Sequence, residues 1–354
     1  MFDELIKKPG FWSLKGPFGD VVLSTRIRLA RNMPSINFPH RMGEQEHSVF
    51  ESIARRFIED SEFHETASLI LLRELEDNDR RFLRERNLIT LEMENSPDSL
   101  VVLERDERFV IMINEEDHFR IQVIKPGFQI MEAYGMADLV DEELNKFAAY
   151  AYCNDFGYLT ACPSNMGTGL KVSTMLHLPA ITMNKTIGEV ITSLRDRGIN
   201  VKGTTGETNR TFGSLYLISN RPSLGLSEVD IIEEIDKATK MLIEMENEAR
   251  DGFASSRSRQ IEDSIWRSFG ILRYTRSISY IEAIEHLSGI RLGIVLSIIK
   301  NIDLQRINDL MVNTQWYHLQ QRFNGVFKNS EECDEFRADY LRAQFDDLRD
   351  GSLE

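Results

Sequence analysis

The sequence predicts an α+β fold, a mostly antiparallel sheet flanked by helices, followed by an all-α C-terminal domain. Three observations carry this. β-rich runs at 99–103, 108–113 and 119–124 lie so close together that their connections allow only antiparallel pairing. Helical segments interrupt them, which suits helices packed on a sheet. Beyond the turn-rich stretch Asp251–Ser258 the pattern is helical throughout, including the capping-box sequence Ser279-Tyr280-Ile281-Glu282.

In chain order, Ser24–Arg31 reads as a strand whose alternation turns Arg26 and Arg28 to one side. Helices are expected at 44–60, 136–149, 168–178 and 187–198. A long helix begins after Ser227 as N-cap, with Val229, Ile232, Ile235, Ala238, Leu242 and Met245 as its apolar stripe. The 251–258 stretch divides the chain into domains at 1–254 and 255–354.

Of 354 residues, 42% are hydrophobic and 28% charged, which is ordinary for a soluble globular protein. Met1–Lys8 lacks the pattern of a secretory leader, and no apolar run reaches membrane length, so a cytoplasmic location is expected. Cys153, Cys162 and Cys333 are odd in number and have no metal-ligand spacing, so reduced thiols are expected, with no disulfide and no bound metal. A net charge of −15 disfavours nucleic acid and attracts basic partners such as Arg-rich protein segments.

Chemistry concentrates in four motifs: Ser24–Arg28, Asn114-Glu115-Glu116-Asp117-His118-Phe119-Arg120, Cys162-Pro163-Ser164-Asn165-Met166-Gly167-Thr168, and Gly206-Glu207. Planar guanidinium groups clamp phosphate oxygens bidentately, and phosphoryl transfer is catalysed chiefly by positioning and charge neutralisation. Arg26, Arg28 and Arg120 suit that role. Gly167 and Gly169 would allow backbone approach to phosphate at the start of a following helix, where Cys162 would also gain thiolate character. Glu116 and Glu207 could grip opposite edges of a guanidinium acceptor and take its proton, with Cys162 as a third negative contact. Taken singly, each has a plainer reading: a buried thiol, a solvated charge run, an exposed turn. His118 is read as a positioning or nucleotide-side residue.

These motifs resemble those of the phosphagen (guanidino) kinases, and Arg259–Leu272 resembles the C-terminal domain of bacterial protein-arginine kinases, so the resemblance covers nearly the whole chain. It implies a phosphagen-kinase-like sheet, catalytic Glu116, Glu207 and Cys162, and ATP with Mg2+ carried by the nucleotide. It implies ATP contacts from Ser24, Thr25, Arg26, Ile27, Arg28, Asn87, Arg120, Lys171, Val172, Ser173, Thr174, Met175, Lys202, Gly203, Thr204, Thr205 and Gly206. Creatine and arginine kinases carry a helical domain before the Arg-x-Arg strand; its absence here leaves the acceptor side open to a protein.

The implied activity is phosphorylation of protein arginines in stress response, marking targets for a Clp-type protease or inactivating a repressor of stress genes. The implied partners are proteins with exposed arginines, a zinc-binding activator and the protease, and the implied assembly is a homodimer. Lys171 and Lys202 stand where family members have arginines, and Asn87 where a histidine is common. The phosphoarginine-binding motif reads Ala338-Asp339-Tyr340-Leu341-Arg342-Ala343, placing Arg337, Asp339 and Arg342 at that site, with Arg337 beside the lost first arginine. Two alternatives stand beside the protein kinase. One is a weakly active adaptor for arginine or phosphoarginine segments, mildly favoured by the lysines; the other is a kinase of a free guanidino compound.

Overall fold

A computed structural model describes residues 5, 8, 10–203, 211–222, 224–256, 258–323, 325 and 327–346. Its centre is an antiparallel sheet of eight strands: β1 (Val22–Arg31), β2 (Ala67–Leu71), β3 (Leu100–Glu104), β4 (Val110–Ile113), β5 (Phe119–Pro126), β8 (Leu170–His177), β9 (Ile199–Gly203) and β10 (Leu215–Asn220). They run in the order β2-β3-β4-β5-β1-β8-β10-β9. β1 is central, pairing with β5 on one side and β8 on the other. A separate hairpin, β6 (Tyr152–Cys153) and β7 (Gly157–Tyr158), precedes the cysteine motif.

The two faces differ in what covers them. On one, Ile27, Leu29, Ile111, Ile121, Val123, Val172 and Ile218 are buried in the main core. Its cover is α1 (Glu44–Asp60), α4 (Ile130–Asn145), α6 (Ile187–Asp196) and α7 (Glu228–Ser256). Helix α1 buries Phe50, Ile53, Ala54 and Phe57, the 3–4 spacing of an amphipathic helix. The Glu46 carboxylate accepts from the Gly43 backbone N–H at 2.9 Å, closing its first turn. Helix α7 starts where expected, with Ser227 Oγ accepting from the Asp230 N–H at 3.1 Å. Val229, however, is 63% exposed; Ile231 takes its place in the buried stripe.

On the opposite face, β2 to β4 are covered by α2 (Asp77–Glu85) and α3 (Leu91–Glu94). Phe82, Leu83 and Met93 pack there against Ile70, Val101, Leu103, Val110 and Met112. The rest of that face, over β5, β1, β8, β10 and β9, carries the candidate site.

One expected element is of the wrong type. Residues 168–178 form no helix, because 170–177 are strand β8, held on both edges by β1 and β10. Helix α5 (Pro179–Met183) follows it. The helix expected at 136–149 begins earlier, at Ile130.

Helices α8 (Ser258–Tyr274), α9 (Tyr280–Val295), α10 (Leu304–Asn313), α11 (Trp316–Arg322) and α12 (Ser330–Asp346) build a second core. That core also takes in Leu23 and Leu215 from strand ends. Fully buried Arg291 of α9 donates to the carbonyls of Gly19 and Asp20, just before β1, and to His177 Nδ1 at the end of β8.

Candidate active site

The antiparallel register assembles a cationic patch. Arg28 lies opposite Lys171 across β1 and β8, and Arg120 lies opposite Ala30, one diagonal step from Arg28. Arg26 lies opposite Ser173, and Lys202 of β9 opposite Leu217 of β10, which in turn faces Met175. Residues directly opposite share a face, so Arg26, Arg28, Arg120, Lys171 and Lys202 all project to the same side.

Crowding of like charge in a half-buried setting shows in their titration. Burial, and next the Arg120 charge, lower Arg26 to about 10. Arg28 is held well below its ordinary value by burial, then by Arg26 and Arg120. Lys171 falls to about 8 through burial and its four cationic neighbours, Arg28 first among them. Arg26 Nε and Arg28 Nε are buried without a hydrogen-bond partner among the described residues. Donors left open in this way suit a polyanion. Two hollows open on this face. Arg28, Arg120, Lys171, Gly169, Glu116 and Ser164 line one; Ser24, Arg26, Asn87, Ser173, Met175 and Leu217 line the other. Asn87 holds a left-handed backbone, φ 62°, that asparagine tolerates, and its carbonyl accepts from Gln122 Nε2 at 2.7 Å.

The glutamate motif follows β4 as a tight loop. Glu115, which the sequence reading left without a role, is the partner of Arg120: its Oε1 accepts from Arg120 Nη1 at 2.6 Å and from Thr90 Oγ1 at 3.0 Å. Glu116 stays exposed, 3.6 Å from Arg120 Nη2. Its pKa is raised, by burial first and then by Asp117. His118 is fully buried, with Nδ1 accepting from the Met33 N–H at 2.9 Å and Nε2 donating to the Asn37 carbonyl at 2.8 Å. Both ring nitrogens are thus engaged within the loop framework, and the His118 pKa is lowered, by burial first.

Cys162 precedes a three-residue 3₁₀ turn, Pro163–Asn165, and its Sγ lies 3.0 Å from Ser164 Oγ. The expected helix start is not there: the motif runs into β8, so no helix dipole reaches the thiol. Gly169 has φ 68°, and a Cβ on it would meet the Ala30 carbonyl at 2.6 Å and Arg31 Nη1 at 2.7 Å. It serves close packing at the entry of a strand rather than a helical phosphate cradle. Arg31, buried beneath the ring of Tyr158 at 3.6 Å, pairs with Asp141 at 2.7 Å and donates to the Thr168 carbonyl at 2.9 Å.

Among the residues expected at the nucleotide, Thr25, Ile27, Val172 and Thr174 alternate to the opposite, core-packed face. Thr25 Oγ1 donates to the Gly127 carbonyl at 2.7 Å, and Thr174 Oγ1 meets Thr239 Oγ1 at 3.1 Å. Their side chains are therefore absent from the cationic face. Ser24, Arg26, Arg28, Arg120, Lys171, Ser173, Met175 and Lys202 share it, with Asn87 at its rim and Gly203 next to Lys202. Thr204, Thr205, Gly206 and the second carboxylate, Glu207, lie outside the described residues. Arg337 is buried; Nε donates to the Thr314 carbonyl at 2.8 Å, Nη1 to the Ile278 carbonyl at 2.8 Å and Nη2 to Cys333 Sγ at 3.2 Å. Arg342 donates to the Thr275 carbonyl at 2.6 Å and pairs with Asp339.

Comparison with known proteins decides the family. Residues 48–249 match the ATP:guanido phosphotransferase C-terminal catalytic domain, and residues 258–353 match the protein-arginine kinase C-terminal domain. The protein-arginine kinase of Halalkalibacterium halodurans is 39% identical over 336 residues, 94% of each chain. The chain belongs to the protein-arginine kinase family. The protein-arginine kinase of Bacillus subtilis is also 39% identical, over 90% of this chain and 88% of its own. Solved structures with the same fold include lombricine kinase, with TM-score 0.58 and 22% identity over 70% of this chain and 71% of that one. Another is the duplicated taurocyamine kinase of Schistosoma mansoni, with TM-score 0.59 and 23% identity over 68% of this chain and 35% of its own. The two family matches leave a gap at 250–257, at the junction of α7 and α8.

Proposed function

We propose that this protein-arginine kinase transfers the terminal phosphoryl group of ATP to arginine side chains of other proteins. The observation that carries this is the cationic face, whose buried Arg26 and Arg28 Nε atoms lack partners while Glu116 stands exposed beside Arg120. Arg26, Arg28, Arg120 and Lys171 hold the phosphates and neutralise the charge that spreads over the transferred oxygens. Mg2+, carried by the nucleotide, would add to the charge neutralisation that these side chains supply. Glu116 orients the acceptor guanidinium, and its raised pKa suits it to receive the proton that leaves the attacking nitrogen. Glu207 grips the other edge, and Cys162 adds a polar contact. Residues 1–254 form the catalytic domain, and 255–354 the helical domain that serves dimerisation and substrate binding. A phosphoarginine reaching that domain would meet Arg342 and Asp339, since the donors of Arg337 are spent within the helices.

This function suits a cytoplasmic homodimer acting in stress response, with a zinc-binding activator and a Clp-type protease as partners. Among the described residues no helix is long and apolar enough to cross a membrane. The test is incubation with ATP, magnesium and a general protein substrate. Acid-labile phosphate on arginine is the expected product, and phosphate confined to serine or threonine would overturn the assignment.

A further inference from the structure

Three segments of the site meet at one side chain that no motif includes. Asn32 immediately follows β1, the strand of Arg26 and Arg28, and is 2% exposed. Its Oδ1 accepts from the His118 N–H at 2.8 Å, and its Nδ2 donates to Asp117 Oδ1 at 2.7 Å, so it grips both residues that follow Glu116. The same Nδ2 donates to the Leu159 carbonyl at 3.0 Å, and the Asn32 carbonyl accepts from the Ala151 N–H at 2.7 Å. Asp117, fully buried, completes the junction: its Oδ1 also accepts from the N–H of Ala161, the residue before Cys162, at 2.7 Å.

Glu116 and Cys162 are themselves on loops with few ties of their own. Among the described residues the Glu116 carboxylate has the 3.6 Å approach to Arg120 as its polar contact, and the Cys162 thiol has Ser164. Their loops are tied together next door: Asp117, which follows Glu116, accepts from the N–H of Ala161, which precedes Cys162, and Asn32 holds Asp117 and the Leu159 carbonyl. A carboxamide suits this place because it offers an acceptor and a donor to the glutamate loop and a further donor to the loop before Cys162. Burial strengthens each bond and makes the loss of any one of them costly.

We propose that Asn32 is the positioning residue of the acceptor site, setting the distance between Glu116 and the Cys162 loop; this role rests on the arginine transfer proposed above. Asn32 is buried and lines neither hollow of the site. A displacement of about 1 Å at reacting groups costs about 100-fold in rate. The nucleotide cations are anchored separately by the β1–β5–β8 ladder. Loss of Asn32 therefore falls on the acceptor and leaves nucleotide binding intact.

The test compares the full-length protein with Asn32→Ala, the milder Asn32→Ser, and the exchange Asn32→Asp with Asp117→Asn, using ATP and an arginine peptide. Two readouts are taken. One is steady-state kinetics; the other, independent of turnover, is the alkylation rate of Cys162 with hydrogen exchange across 159–162. Asn32→Ala should lower kcat/KM for the peptide about 100-fold while the ATP dissociation constant stays within about threefold, which is under 1 kcal/mol. Cys162 alkylation and 159–162 exchange should accelerate together, and the exchanged pair should recover part of the loss, since it restores the contact between positions 32 and 117. Should Asn32→Ala fail to fold, Asn32→Ser decides by the same criteria. Unchanged peptide kinetics and unchanged Cys162 reactivity, or an equal loss of ATP affinity, overturn the positioning role. If the wild type puts no phosphate on arginine while the variants still loosen 159–162, the transfer function fails and the junction survives as a structural one only, which also overturns the positioning role.

Discussion

One face of the sheet is two different surfaces. Over β2, β3 and β4, Ile70, Val101, Leu103, Val110 and Met112 are sealed beneath Phe82, Leu83 and Met93. Over β5, β1, β8 and β9 the same alternation presents Arg26, Arg28, Arg120, Lys171 and Lys202, and among the described residues no α-helix seals them as Phe82, Leu83 and Met93 seal the other half. Met112 and Arg120 are opposite neighbours on β4 and β5, so the border falls between two adjacent strands. Alternation sets which side a residue faces; the cover decides whether that side becomes core or site. The apolar half lowers the free energy of the folded chain by removing surface from water. The cationic half costs stability, because it holds like charges half-buried with donors unpartnered, and that cost is what a polyanion relieves.

Substitutions in the two halves should therefore have opposite signatures. The largest effect is expected at the rim of the cationic half: Glu116→Gln should lower kcat by about 10²- to 10⁴-fold. Its melting temperature should stay close to wild type because the side chain is exposed. Comparable melting curves beside a rate within a few-fold of wild type would remove Glu116 from the chemistry. In the apolar half, Phe82→Ala should cost about 3–5 kcal/mol of stability in denaturant titration. Nucleotide affinity of the folded fraction should be unchanged, and a loss of affinity at constant stability would erase the distinction between the halves.

Smaller shifts sharpen the comparison through pH. Lys171, lowered to about 8, loses its charge as pH rises past that value. In the free enzyme kcat/KM for ATP should decline above about pH 8, and Lys171→Arg should carry that decline to higher pH. On the acid side the raised pKa of Glu116 means that it protonates at higher pH than an ordinary glutamate, so kcat should fall early as pH drops. A profile flat on both sides would show that neither group titrates during turnover.

Much of this arrangement was legible in the chain. Arg26 and Arg28 alternate with Ile27 and Leu29, so β1 and its charged side follow from period two alone, and Phe50, Ile53, Ala54 and Phe57 announce α1. Strand β8 was not legible. Lys171-Val172-Ser173-Thr174-Met175 has apolar and polar residues at spacings that either period accepts, and pairing with β1 and β10 settles it. That outcome also separates Lys171, Ser173 and Met175 from Val172 and Thr174, which a contiguous motif cannot do. Glu115, Thr90, Arg31 and Asn32 were missed because a buried polar side chain leaves no periodic trace; its partners are distant in sequence. Within the double glutamate, only the loop geometry separates Glu115, which pairs with Arg120, from the exposed Glu116.

The claim that the uncovered half of the face is a phosphate site is tested most directly by thermal unfolding of wild type and Arg28→Met with and without ATP. At an ATP concentration 100 times the dissociation constant, the wild type should gain about 2.7 kcal/mol. Arg28→Met should unfold at the same or a higher temperature than wild type in the absence of ATP, because a crowded, half-buried charge has been removed. It should gain little or nothing when ATP is added. An Arg28→Met protein that is destabilised without nucleotide, yet stabilised by ATP as much as wild type, would contradict the account.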